Sequence, residues 1–250
     1  MKRIFLAFSV AVLLVGGAYA NEEKHESAHG AAHEVHWNYD EHGPEHWGEF
    51  GETCQIGKAQ SPINIIANET KGIDKSDILK LSESVQTKAS IVDNGHAIQV
   101  NVENGGMVTV DGVDYKLVQF HFHGLSEEEI NGKHTDLVAH MVHKSPFGSL
   151  LVIAVLFNEG KIAQPMIQAV IGNVGKSVEI DPATLLPHDT EHYYHFMGSL
   201  TTPPCSENVK WYVMKEVQSA SKEQVAALRK FYDHNYRPVQ PLNTRVVESK

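Results

Sequence analysis

The chain has 250 residues, 42% of them hydrophobic, and sets 21 Lys and Arg against 31 Asp and Glu, a formal charge of −10. Losing the first 20 residues would remove Lys2 and Arg3 and no acid, leaving 19 against 31, or −12, a balance that excludes nucleic acid and anionic membrane surfaces as partners. Beyond residue 20 no apolar run approaches the roughly 18 to 20 residues that a membrane helix needs.

Residues 1–20 begin with Lys2 and Arg3, continue as an apolar stretch and end in Gly16-Gly17-Ala18-Tyr19-Ala20, which reads as a secretory signal peptide cleaved after Ala20. The protein is therefore expected to be periplasmic or secreted, with no membrane association once the signal is removed. Residues 21–35 are rich in His, Glu, Ala and Ser and read as a His-rich flexible leader. His25, His29 and His33 recur there every four residues, so a weak zinc-capturing arm stands as the alternative to a solvated tail. Residues 36–250 suit one domain around one core. In an exported chain the only two cysteines, Cys54 and Cys205, read as a disulfide rather than a redox or metal pair. Closing so long a loop stabilises by about 5 kcal/mol in the chain-entropy account.

Along the domain, Ala97 to Val102 alternates apolar and polar, Glu103-Asn104-Gly105-Gly106 makes a turn, Met107 to Val110 resumes and Asp111-Gly112 turns again. Lys116 to His123, Leu137 to His143 and Leu150 to Phe157 continue the strand pattern, the last two apolar enough to be buried on both faces. Such short strands joined by Gly and Asn turns predict an antiparallel-rich sheet. Ser221-Lys222-Glu223-Gln224 is a capping box, and Val225, Leu228 and Tyr232 follow at helical spacing, predicting a surface helix packed on that sheet.

Within Gln119-Phe120-His121-Phe122-His123, an H-x-H pair in an alternating run puts two imidazoles on one strand face. His140, in the next apolar run, is able to face the same way from a neighbouring strand. Three neutral imidazoles leave Zn²⁺ its double charge and one open tetrahedral position, the arrangement that lowers the pKa of a bound water to about 7. His143 lies three residues past His140, faces the other side and reads as structural.

Ordered blocks across the chain resemble the α-class carbonic anhydrases. They are His36-Trp37-x-Tyr39, Gly43-Pro44-Glu45-His46-Trp47, Gln60-Ser61-Pro62-Ile63-Asn64-Ile65, Asn94-Gly95-His96, Gln119 to His123, Gly198-Ser199-Leu200-Thr201-Thr202-Pro203-Pro204 and Arg237-Pro238-Val239-Gln240-Pro241-Leu242. The resemblance implies a mainly β, single-domain fold: a large twisted, mostly antiparallel central sheet with short peripheral helices. It implies reversible hydration of CO₂ to bicarbonate and a proton, with zinc-bound hydroxide as nucleophile and weak esterase activity from the same group. By resemblance His121, His123 and His140 are the zinc ligands. Thr201 orients the nucleophile and Glu127 accepts the proton of the threonine. Val142, Val152, Leu200, Thr202, Val209 and Trp211 form the substrate pocket. His96 is the proton shuttle, and Tyr39, Asn94 and Gln99 order the water chain leading to it. Secreted members commonly carry a disulfide at positions like Cys54 and Cys205. Small-molecule substrate is the expected partner, with a homodimer left open.

Three places depart from the family pattern, one of them Gly124-Leu125, which replaces a bulkier or more polar pair after the strand that carries His121 and His123. The glutamate that normally orients the third ligand histidine from two residues earlier is Val138 here, and Glu128 stands where a histidine is usual beside Glu127. A missing orienting partner costs 10- to 100-fold in metal affinity or activity, so the sequence predicts a weakened hold on zinc unless Glu128 supplies a compensating charge. Two rival readings follow: a catalytically weak or inert carbonic-anhydrase-related binding domain, and a periplasmic zinc-binding protein.

Overall fold

The structure, a computed structural model, describes residues 36–83 and 85–250; the signal-peptide and leader assignments lie outside them. In chain order its strands are β1 (Asn64–Ile65), β2 (Lys71–Gly72), β3 (Lys80–Leu81), β4 (Thr87–Asp93), β5 (Ile98–Val102), β6 (Met107–Val110), β7 (Val113–His123), β8 (Glu129–Ile130), β9 (Leu137–Lys144), β10 (Leu150–Gly160), β11 (Ser177–Ile180), β12 (Tyr193–Ser199), β13 (Glu207–Met214), β14 (Gln218–Ser221) and β15 (Glu248–Ser249). Among the described residues three α-helices accompany them: α1 (Thr53–Ile56), α2 (Pro165–Ile171) and α3 (Lys222–Phe231).

The main sheet runs β11-β4-β5-β7-β9-β10-β13-β12-β15-β2, with β6 beside β7 and β14 beside β10. Its central strands β9 and β10 are those whose sequence is nearly continuously apolar. Leu137 to His143 on β9 and Leu151 to Phe157 on β10 are buried throughout, which only an interior strand covered on both faces allows. Most pairs are antiparallel, as expected. The sheet is nevertheless mixed, because β10 pairs in parallel with both β13 and β14. Nothing in a strand's own sequence records the direction of a neighbour some 60 residues away.

Alternation on β9 divides the core. Leu137, Ala139 and Met141 join the larger apolar cluster with Phe120, Ile153 and Tyr212, beneath α2 and α3. Val138 and Val142 face the smaller one with Ile63, Val152 and Trp211, and His140 shares their side of the strand. His143 falls on the opposite face, opposite Leu117 and Leu151 in register. Helix α3 begins where predicted: the Ser221 side chain accepts from the Gln224 N–H, the Gln224 side chain returns to Ser221, and Val225 and Leu228 are buried. Helix α2 was not predicted, since seven residues are too few to show helical periodicity.

Candidate metal centre

Strand pairing creates the site. His121 and His123 lie two residues apart on β7, and antiparallel register sets His140 of β9 directly opposite His121. The three rings have centroids 4.8 to 5.5 Å apart, and one nitrogen from each falls within 4.8 Å of the other two.

The opposite nitrogen of each ring is already engaged. His121 Nδ1–H donates to Gln119 Oε1 at 2.8 Å, and His123 Nδ1–H donates to the Asn235 carbonyl in a short bond. His140 Nε2 faces the Glu128 carboxylate at 3.2 and 3.3 Å. These partners fix the tautomers and leave His121 Nε2, His123 Nε2 and His140 Nδ1 as lone pairs turned toward one another. His123 Nε2 is buried without any hydrogen-bond partner. Burial, with His140 adding to it, holds His121 down to about 3, and burial likewise holds His123 well below the usual histidine range. His140 is instead raised, because Glu128 and Glu127 outweigh its burial. Convergent imidazole lone pairs, one of them an orphan, form a donor set that fits a tetrahedral divalent ion with its fourth position open.

His140 therefore does have a carboxylate partner, which corrects the expectation drawn from Val138. Val138 is fully buried in the smaller apolar cluster, opposite His123 in register, while Glu128 approaches from the segment leading into β8.

Glu127 is also fully buried. Its Oε1 accepts the Arg237 backbone N–H at 2.7 Å, and its Oε2 lies 3.6 Å from His123 Nε2 and 3.7 Å from His140 Nδ1 without a hydrogen-bond partner. Burial pushes this carboxyl up to about 7, against the opposing pull of His140, the Thr201 hydroxyl and the Arg237 N–H. Thr201 is in the loop after β12, where the Cys205 N–H donates to the Thr202 carbonyl and Cys205 is disulfide-bonded to Cys54, with 5.0 Å between Cα atoms.

Above the histidines opens a cavity of about 250 Å³. Val142, Val152, Leu200, Thr201, Thr202 and Trp211 line it. Tyr39, Asn94, His96 and Gln99 also belong to the lining, together with Trp37. Val209 is not part of the lining; it packs behind it in the smaller cluster, two residues from Trp211 on β13. His96 is half-buried and stacked on Trp37, with ring centroids 3.6 Å apart and planes 12° from parallel. Burial lowers its pKa, and Asn94 ties it by accepting the His96 N–H and donating to Gln99 Oε1.

Residues 42–250 match the family model described as eukaryotic-type carbonic anhydrase. The chain belongs to that family. Carbonic anhydrase from Pectobacterium carotovorum is 40% identical over 230 residues, covering 87% of this chain and 92% of the relative. That of Neisseria gonorrhoeae is 42% identical over 239 residues, covering 88% and 90%. Among solved structures, the α-carbonic anhydrase of Thermovibrio ammonificans, in complex with the inhibitor sulfanilamide, superimposes with a TM-score of 0.79 at 41% identity, over 85% of this chain and 98% of that one. The carbonic anhydrase fold thus accounts for the mixed sheet, and family and fold together support CO₂ hydration.

Four contributors to this carbonic anhydrase site escaped the sequence reading. Gln119 was findable, since it precedes His121 by two residues on one strand face, the relation used to judge Val138. Glu128 was marked as a departure beside Glu127, but its approach to the His140 ring is visible only in the structure. Asn235 lies 112 residues from His123 with no local signal, and Trp37, although part of a block that carries the resemblance, shows its place only in the cavity lining and the stack on His96. A second trio, Asp77, His195 and Glu248, also brings donor atoms within 4.8 Å of one another. There Lys210 Nζ sits 2.5 Å from Asp77 Oδ1 and already supplies the positive charge, so the trio reads as a structural ion-pair cluster.

Proposed function

We propose that the protein hydrates CO₂ reversibly to bicarbonate and a proton, using a zinc ion held by His121, His123 and His140. The observation that carries this reading is the convergence of three lone pairs whose opposite ring nitrogens are all engaged. Held by three neutral imidazoles, zinc supplies a water whose pKa is lowered to about 7, and hence a nucleophile at neutral pH. The chain's own residues do the rest. Thr201 directs its hydroxyl hydrogen toward Glu127 and keeps lone pairs for the cavity, so it accepts a hydrogen from the attacking oxygen and turns that oxygen's remaining lone pair toward the substrate. The Arg237 N–H holds the Glu127 carboxylate in its place.

CO₂ has no net dipole, so an apolar surface suits it. Val142, Val152, Leu200 and Trp211, with Thr202 at the margin, provide one beside the histidines, and Val209 supports Trp211 from behind. Each turnover leaves a proton to dispose of. His96, half-exposed at the mouth of the cavity, passes it to buffer through waters ordered by Tyr39, Asn94 and Gln99. Residues 1–20 as a signal peptide, 21–35 as a leader and an exported location complete the reading, supported by the Cys54 to Cys205 disulfide, which suits an oxidising compartment.

The test is a CO₂-hydration assay with zinc analysis on the purified protein. One zinc bound at this centre and rapid hydration are expected, and His121→Ala, His123→Ala or His140→Ala should each lose both, since two imidazoles hold a catalytic ion poorly. Near-normal activity in any one of these variants would overturn the assignment. No zinc in the wild type would favour the inert binding domain, and several zinc ions without hydration the zinc-binding protein.

A further inference from the structure

We infer that Glu128 is the residue that positions His140, so that the orienting carboxylate of the third ligand has moved from the ligand's own strand to a different segment of the chain. This rests on His140 being a metal ligand, as proposed above. Three observations carry it. Glu128 has no solvent exposure, yet its carboxylate oxygens lie 3.2 and 3.3 Å from His140 Nε2, the nitrogen turned away from His121 and His123. The position two residues before His140, from which a strand side chain reaches the same face, is occupied by Val138, which contributes only apolar packing. Finally, the backbone around Glu128 is pinned. Ser126 Oγ donates to the Glu128 carbonyl at 2.8 Å and accepts the Thr135 N–H at 2.9 Å, while the Glu129 N–H donates to the Ile63 carbonyl.

A buried carboxylate without a partner is costly, and an imidazole N–H facing it removes that cost while fixing the ring as its Nε2–H tautomer. The lone pair is thereby committed to Nδ1, which faces the centre. Val138 and Glu128 are then one exchange: an apolar residue fills the strand position because the charge comes from elsewhere. Adding a carboxylate at 138 alone would bury a second anion against a nitrogen already satisfied, and should therefore bring no gain in zinc retention.

The test compares zinc release to a chelator in wild type, Glu128→Gln, Val138→Glu and the double variant Glu128→Gln with Val138→Glu. Glu128→Gln, close to isosteric, should release zinc about 10- to 100-fold faster while still filling one site in excess metal. Val138→Glu alone should release it no more slowly than wild type, and the double variant should recover much of the loss. Nitrogen-detected NMR of the histidine rings in the wild-type holoprotein supplies a measurement that needs no variant: His140 should carry a slowly exchanging proton on Nε2, absent in Glu128→Gln. Unchanged release in Glu128→Gln, slower release in Val138→Glu alone, or a wild-type His140 protonated on Nδ1 would each overturn the inference while leaving the three-histidine centre standing. A wild type that takes up no zinc at these histidines would overturn that centre itself, and the role of Glu128 with it.

Discussion

The floor and the rim of the cavity are built on opposite principles. On the floor, His123 and His140 are almost fully buried and each of the three rings proposed as ligands is braced by a partner on its outer nitrogen, so the donors are aimed in advance. On the rim, His96 is half-exposed, its Nδ1 has no hydrogen-bond partner, and it is held by a stack on Trp37 rather than by side-chain bonds. A ring proposed to receive and release a proton has to avoid being fixed. The floor gains from rigidity, and the rim from its absence.

Substitutions can break this contrast or sharpen it. The largest effect among those that leave the ligands alone should come from Thr201→Ala, which removes an orienting group from the floor. Zinc should stay and the hydration rate should fall by roughly 10²- to 10³-fold, read from initial rates and metal analysis together. Loss of zinc instead would make Thr201 part of the metal's support and blur the division. His96→Ala should cost up to about 10²-fold, and only in weak buffer, because external base can replace a rim group but not a floor group. Isotope exchange between CO₂ and bicarbonate should be nearly unchanged and added imidazole should restore turnover; a variant insensitive to buffer would place the proton path elsewhere.

The smallest effect concerns stability. Burial lowers His143 to about 4 from an ordinary 6.5, despite hydrogen bonding to the Met141 and Leu151 backbone. As pH falls from about 6.5 to about 4, the unfolded chain takes up a proton that the native chain refuses, so the native state loses stability through that window, by about 3 kcal/mol at most. His143→Phe should flatten this part of the acid limb in denaturant titrations of the holoprotein. An unchanged slope would show that His143 is protonated in the folded state.

Legibility in the sequence followed the range of the interactions. The β7 and β9 strands, the α3 capping box and the H-x-H pair are local patterns, and each stands where its own residues put it. The expected disulfide is present for a different reason: two cysteines allow only one pairing. What was not legible is what depends on the meeting of distant segments. The parallel pairing of β10 with β13, the Asn235 carbonyl on His123 and the Glu128 carboxylate on His140 all join residues with no shared period. Val138 shows the hazard most directly, because a correct local rule gave the wrong result when the missing group arrived from another direction.

The C-terminal segment that carries Asn235 and Arg237 has a consequence for the timing of synthesis. Arg237 is buried, its guanidinium donates to Gln60 Oε1 and to the Ser61 and Cys54 carbonyls, and its own N–H holds Glu127. A growing chain has made all three histidines of the proposed centre by residue 140, yet the braces for His123 and Glu127 appear only with Asn235 and Arg237. Until those residues dock, the histidines exist without their aim. This late segment is a closing stitch that gathers distant parts of the domain, and a chain stopped before Asn235 would keep the three histidines while lacking the frame that aims them.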